Sequence, residues 1–245
     1  AYEIRLSLVG SEMCIRDRYK GLEVAVKQLI NQPGETAAPP SPPVAAAAAT
    51  AAAAVVGPAT DGTGVSLTLG ETESEAKARS DFVSEVTLMA RLRHPNIVAL
   101  IGATPKPLCL VTEYCGRGNL FDLLHAKGLP LEWSRRLRIA ADAARGMAYL
   151  HGLGIIHRDL KSQNIFIGRD WSAKIGDFGL SRFRAATATT LMTAQCGTFH
   201  WMAPELISSF VYTEKVDVYS FAIDLWELLT REVPYAGMQP MQIGY

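Results

Sequence analysis

The chain has 245 residues, 49% of them hydrophobic and 20% charged, with Lys+Arg 24 balanced by Asp+Glu 24. Such values suit a soluble globular protein of one large domain or two lobes, and the neutral balance gives no reason to expect nucleic acid or an anionic membrane as partner. Four cysteines (Cys14, Cys109, Cys115, Cys196) without CxxC spacing argue against a disulfide framework and for a reducing compartment, so a cytoplasmic location is expected.

Residues 1–18 are expected to take no part in the fold. Ala1–Ile4 can be written GCA TAC GAG AT, the end of a flow-cell primer. Leu8–Asp17 can be written CTC GTG GGC TCG GAG ATG TGT ATA AGA GAC, a transposon-tagging adapter read in one frame. The gap between the two accommodates about eight nucleotides, the length of an index, so the segment reads as adapter-derived and non-native.

From Tyr19, "YKGLEVAVKQL" alternates apolar and polar residues, as a half-buried strand does. Residues 31–79 hold a Pro-, Ala-, Gly- and Thr-rich tract with almost no charge and no aromatics. It cannot bury enough apolar surface to offset its ordering entropy, and is expected to be a disordered insertion, with a short alanine helix as the other possibility. Its alanine run is too short and weakly apolar for a membrane span, and no stretch of the chain is apolar and long enough to serve as one.

Regular structure is expected again at "SDFVSEVTLMARLRHPNIV", a helix capped by Ser80 or Asp81 with Phe82, Val86 and Met89 on one face and an end before Pro95. Strand-like runs follow at 97–102 and 108–114, then helical patterns at about 119–126, 134–151 and 216–230. Strands first and helices after give an α+β arrangement.

The chemistry concentrates in "IIHRDLKSQNIFIG" at 155–168, where Asp159 and Asn164 stand five apart with Lys161 between them. "GDFGLSR" brings Asp177, Phe178 and Gly179, and "GTFHWMAPE" brings Ala203, Pro204 and Glu205. Any one triplet could arise by chance, and a lone lysine or glutamate is usually solvated charge. In this order and spacing they resemble a eukaryotic-type protein kinase over roughly residues 19–30 and 80–245.

The resemblance implies a bilobal kinase fold truncated at both ends. Residues 19–114 form the β-rich small lobe with the 31–79 insertion, lacking the first strand and glycine-rich loop. Residues 115–245 form the helical large lobe, lacking the last helices and the arginine partner of Glu205. It implies ATP and Mg2+ as cofactors, with Asp159 as the base that orients a substrate hydroxyl and Lys161 as the cation meeting the transferring phosphoryl group. Asn164 and Asp177 become magnesium ligands; Lys27 holds the α- and β-phosphates, and Glu85 holds Lys27. Thr112 takes the gatekeeper position, Glu113–Gly116, with Cys115, the adenine-binding hinge, and Ala25 and Phe166 the two sides of the adenine ring. His157, Phe178, Met89 and Leu100 match the apolar spine of active kinases.

Lys161 in "DLKSQN" resembles serine/threonine enzymes, whereas "LVTEYC", "GTFHWMAPE" and "DVYSF" echo tyrosine kinases. The mixture is that of the tyrosine-kinase-like group, with Raf-type and mixed-lineage kinases. It implies serine/threonine phosphorylation of protein substrates in signalling. A tyrosine or dual-specificity kinase and a catalytically silent kinase-fold scaffold are the alternatives. Arg158 resembles the arginine that pairs with a phosphorylated activation loop, in which Thr187, Thr189, Thr190 and Thr193 are candidate sites for an upstream activating kinase, while Thr198 resembles the substrate-pocket threonine. Two residues depart from the pattern: Ala222 stands where the family has glycine, and Asp224 lies in a helix expected to be apolar and buried. An unpaired carboxylate there would be costly. The chain as it stands is expected to be a weak or inactive fragment.

Overall fold

The computed structural model describes residues 7–9, 12–19, 21–29, 73–105, 107–126, 128–179, 181–183, 199–208 and 212–243. They fall into two compact units, one drawn from Ala1–Arg93 and Ala99–Tyr114, the other from His94–Val98 and Cys115–Tyr245.

The first unit is an antiparallel sheet of strands β1 (Ser7–Val9), β2 (Glu12–Tyr19), β3 (Leu22–Leu29), β4 (Leu100–Pro105) and β5 (Leu108–Glu113), in the order β1-β2-β3-β5-β4. The alternation expected of β3 is present. Val24 and Val26 are buried with Cys109 and Val111, while Ala25 and Lys27 lie half-buried on the opposite face. The pairing sets Ala25 opposite Thr112 and Lys27 opposite Leu110.

Two expectations are corrected here. Part of the 1–18 segment joins the sheet: Glu12–Tyr19 pairs along the whole of β3, closed by Gly21 at φ +83°. A ladder is made by backbone groups, so an open β3 edge accepts any segment of adequate strand propensity, and this one offers Ile15 and Tyr19. Arg16 adds side-chain contacts, pairing with Glu23 and lying over the Tyr114 ring at 4.9 Å. Secondly, the helix α1 runs Glu73–Arg91, so it begins inside the tract expected to be disordered and not at Ser80 or Asp81. "ESEAKAR" consists mainly of good helix formers, with acids at the N-terminal end where the helix dipole favours them. Its apolar face is as expected, with Phe82, Val86 and Met89 buried. Residues 31–72 lie outside the described residues.

The second unit is mainly helical: α2 (Leu120–His125), α3 (Trp133–Gly152), α4 (Pro204–Ser208), α5 (Lys215–Thr230) and α6 (Pro240–Ile243). The 19-residue α1 and the 20-residue α3 are the longest helices described, and no described helix is long and apolar enough to cross a membrane. Ile139, Ala143, Met147 and Leu150 form the buried stripe of α3. Against it packs β8 (Ala173–Ile175), which forms a hairpin with β7 (Ile165–Ile167); Ile167, Ala173 and Ile175 are fully buried. Asn96 fastens β8: its Nδ2 donates to the Ala173 carbonyl at 2.9 Å, and its own carbonyl accepts from Ile175 N at 2.9 Å.

Helix α5 carries the two departures noted in the sequence. Ala222 is exposed, so its methyl group meets solvent and clashes with nothing. Asp224 is buried as expected, 2% exposed, and neither carboxylate oxygen has a hydrogen-bond partner. The helix ends at Arg231, in the left-handed region at φ 60°, whose guanidinium donates to the carbonyls of Leu124 in the last turn of α2 and of Ala126 and Leu129 beyond it.

Gly146 marks a close approach of α3 to backbone in this unit, since a Cβ there would stand 2.6 Å from the Asn96 carbonyl oxygen and 3.0 Å from Ile175 Cγ1. Both neighbours are fixed, one as backbone and one in the core. Gly146→Ala is expected to destabilise the second unit by about 1–3 kcal/mol despite alanine's higher helix propensity; an unchanged urea midpoint would show that α3 can shift freely.

Candidate active site

The short strand β6 (Ile155–Ile156) is buried and pairs with β9 (Arg182–Phe183). The chain then turns sharply, with Arg158 at φ 68°, a region that costs a non-glycine residue free energy and persists only where surroundings impose it. The imposing group is Asp217, in the first turn of α5 and 1% exposed. Its Oδ2 accepts from His157 N and its Oδ1 from Arg158 N, both at 2.8 Å, and His151 Nε2 stands 2.8 Å from Oδ2.

Beyond this anchor the predicted residues converge. Lys161 Nζ donates to Asp159 Oδ2 at 2.8 Å; Asn164 Nδ2 donates to the same oxygen at 3.1 Å and to the Asp159 carbonyl at 2.7 Å. Asp159 Oδ1 is left buried without a partner. Asn164 sits at the end of a 3-10 turn, Ser162–Asn164, with its backbone N bonded to the Lys161 carbonyl at 2.8 Å. Because its amide nitrogen faces Asp159, the side-chain oxygen of Asn164 is the atom free to act as an acceptor.

The segment with Asp177 is fastened to the same loop. Gly176 N donates to the Asn164 carbonyl at 3.0 Å, and His157 Nε2 lies 3.2 Å from the Gly176 carbonyl. A Cβ at position 176 would stand 2.9 Å from both Phe166 and Val98, so only glycine lets the strand pass this close. Asp177 follows at φ 61°, the second non-glycine left-handed residue of the site. Phe178 is buried against His157, ring centroids 5.4 Å apart.

The second unit therefore brings together Asp159, Lys161 and Asn164, with Asp177 one residue past the Gly176 bond, and also holds Arg158, Cys115 and Phe166. The Arg158 guanidinium donates to the Tyr212 hydroxyl at 2.9 Å, and Cys115 is buried. The first unit holds Lys27 on β3, Glu85 on α1, and Ala25, Thr112 and Glu113 in the sheet, with Met89 buried and Leu100 half-buried. Glu113 Oε1 accepts from Ala99 N at 2.8 Å, so its side chain braces the end of the sheet. Thr187, Thr189, Thr190, Thr193 and Thr198 lie outside the described residues.

Sequence reasoning passed over Asp217, Asn96 and His151. One signal for Asp217 was present: an acid three residues into a helix whose remaining pattern is largely apolar. Asp217→Ala would leave two buried N–H groups without an acceptor and is expected to cost about 2–4 kcal/mol. Asp217→Asn, which keeps one carbonyl acceptor, is expected to cost less. Equal urea midpoints for the parent and Asp217→Ala would mean that the turn holds itself.

Residues 51–244 match the family model described as protein tyrosine and serine/threonine kinase. The probable serine/threonine-protein kinase drkD of Dictyostelium discoideum is 48% identical over 171 residues, 68% of this chain and 13% of that protein. The serine/threonine/tyrosine-protein kinase HT1 of Arabidopsis thaliana is 45% identical over 184 residues, 74% of this chain and 47% of that protein. Serine/threonine-protein kinase CTR1 of the same plant is 45% identical over 181 residues, 71% of this chain and 22% of that protein. The chain thus spans less than half the length of each of these relatives. With a matched family model over most of its length, and with the loop of Asp159, Lys161 and Asn164 joined to the segment of Asp177, the chain belongs to the protein tyrosine and serine/threonine kinase family.

Proposed function

We propose that this chain is the catalytic part of a serine/threonine protein kinase of the tyrosine-kinase-like group, transferring the γ-phosphate of ATP to protein hydroxyls in cytoplasmic signalling. The observation that carries this reading is the state of Asp159. One carboxylate oxygen is held by Lys161 and Asn164 while the other, Oδ1, has no partner. A carboxylate so oriented has one acceptor left for a substrate hydroxyl.

The donor set fits a magnesium–nucleotide complex. Asp177 and the side-chain oxygen of Asn164 are hard oxygen ligands suited to Mg2+, and Lys27, with Glu85 beside it in role, would hold the phosphates. Bound ATP supplies the phosphoryl group, and the cation offsets its charge. The protein's own part is alignment. Asp159 Oδ1 orients the serine or threonine hydroxyl and takes its proton as the new bond forms. Lys161 stays within reach of both Asp159 and the incoming charge. Ala25, Thr112, Glu113, Cys115 and Phe166 would line the adenine position, and Arg158 would meet a phosphorylated threonine among Thr187, Thr189, Thr190 and Thr193 after an upstream kinase acts. We also propose that residues 1–18 are adapter-derived, with residues 19–114 and 115–245 as the small and large lobes of the native domain.

The full-length protein carrying this chain, given magnesium and labelled ATP with a basic protein substrate, is expected to label serine and threonine. Asp159→Asn is expected to lower the rate about 10²–10⁴-fold while leaving the melting temperature close to the parent's. Equal labelling by the two proteins would overturn the reading; label on tyrosine alone would overturn the specificity.

A further inference from the structure

Beneath the catalytic loop lies a second polar cluster that phosphoryl transfer does not use. Asp224 and Glu227 stand three residues apart on α5, a spacing that places them on one helix face, and they are 2% and 0% exposed. Glu227 Oε1 meets His125 Nε2 of α2 at 2.9 Å. Glu227 Oε2 and both oxygens of Asp224 have no hydrogen-bond partner. Facing the pair are two equally buried donors in the same condition: Ser162 Oγ from the 3-10 turn and Trp201 Nε1 from the turn Phe199–Trp201.

The remaining surroundings of Asp224 are apolar: Leu120 of α2, Ile139 and Ala143 of α3, and Ile165 of β7 border the same recess. The Arg136 guanidinium of α3 is engaged by the carbonyls of Leu131, Leu228 and Leu229, and that of Arg231 by those of Leu124, Ala126 and Leu129. His200, next to Trp201, lies tilted against the indole, ring centroids 5.8 Å apart. Among the described residues, His125 is therefore the imidazole that meets the pair, and it meets Glu227.

Three acceptor oxygens face two donors, and the one imidazole meets Glu227 and not Asp224. Ionising both acids in this setting would bury uncompensated charge, which costs several kcal/mol. One added proton removes the conflict: it neutralises one acid and supplies the missing donor. We propose that Asp224 and Glu227 form a buried proton-binding site, with the proton on Asp224 directed to Glu227 Oε2, and that this proton lets α5 pack uncharged beneath the loop carrying Asp159 and Asn164.

Burial, and then the neighbouring Glu227 charge, hold the Asp224 carboxyl well above the usual carboxylate range, against a smaller opposing pull from Trp201 and the Ser162 backbone. Burial also raises Glu227, opposed by Ser162, His125 and Trp201. Such an acid leaves stability intact while it is protonated in both the folded and the unfolded state. Stability is lost as pH rises from the ordinary carboxylate range through the raised folded value. The cluster should therefore weaken the second unit in the alkaline direction, opposite to the usual salt-bridged acid.

The full chain, Asp224→Asn and Asp224→Leu are to be melted across pH 5 to 9. Relative to both variants, the parent is expected to lose at least about 3 °C in melting temperature between the acidic and alkaline ends. Infrared spectra of the parent are expected to show the carbonyl band of a protonated carboxylic acid at pH 7, where exposed carboxyls are ionised, and Asp224→Asn should lose it. Parallel melting profiles for parent and Asp224→Leu, or no such band in the parent, would overturn the proposal. The infrared measurement on the parent decides the matter even if a variant fails to fold. Neither readout uses ATP, so the outcome is independent of the kinase reading.

Discussion

A single buried carboxylate sets the geometry on which the loop of Asp159, Lys161 and Asn164 depends. Asp217 receives the backbone N–H groups of His157 and Arg158, each at 2.8 Å, and meets His151 at the same distance. Holding Arg158 in the left-handed region costs on the order of 1–3 kcal/mol. Two hydrogen bonds to a charged acceptor contribute about 1.5–3 kcal/mol each, enough to impose the turn. With the turn fixed, Asp159 and Asn164 meet, and Gly176 N reaches the Asn164 carbonyl, which brings the Asp177 segment to the same place. Orientation of the acid, the amide and the second acid is thus one continuous chain of bonds that starts at α5.

Helix α5 also shows why burial alone says little about what an acid does. Asp217 and Asp224 lie two turns apart on the same helix and are 1% and 2% exposed. The first is surrounded by donors: two backbone amides and an imidazole. The second has a neighbouring acid, an apolar recess and donors that stop short of it. Donor supply separates an anchoring anion from an acid that must carry a proton. Asp217 holds one side of the loop directly, through the His157 and Arg158 amides, while Asp224 lies near Ser162 on the other side without bonding it.

Much of the candidate site was legible in the sequence because its residues stand at short, characteristic spacings. Asp159, Lys161 and Asn164 sit within six residues, and a local turn is enough to bring them together. The β3 alternation and the Phe82, Val86 and Met89 face of α1 are likewise local periodicities. Asp217 and Asn96 escaped notice because their bonds span long stretches of chain, to residues 157–158 and to residues 173–175. A side chain that serves distant backbone leaves no periodic mark. The pairing of Glu12–Tyr19 was hidden for another reason: ladder bonds depend on an available edge, and that edge belongs to β3. The start of α1 at Glu73 reflects helix propensity outweighing the low-complexity character of the tract just before it.

The most direct test of the Asp217 anchor is amide hydrogen exchange at His157 and Arg158, followed residue by residue in the full chain. If the carboxylate holds both amides, they exchange only with global unfolding of the second unit, as slowly as the buried Leu150 amide of α3. Exchange of either amide through local opening, at the rate of an exposed turn, would contradict the account and place the origin of the loop's shape elsewhere.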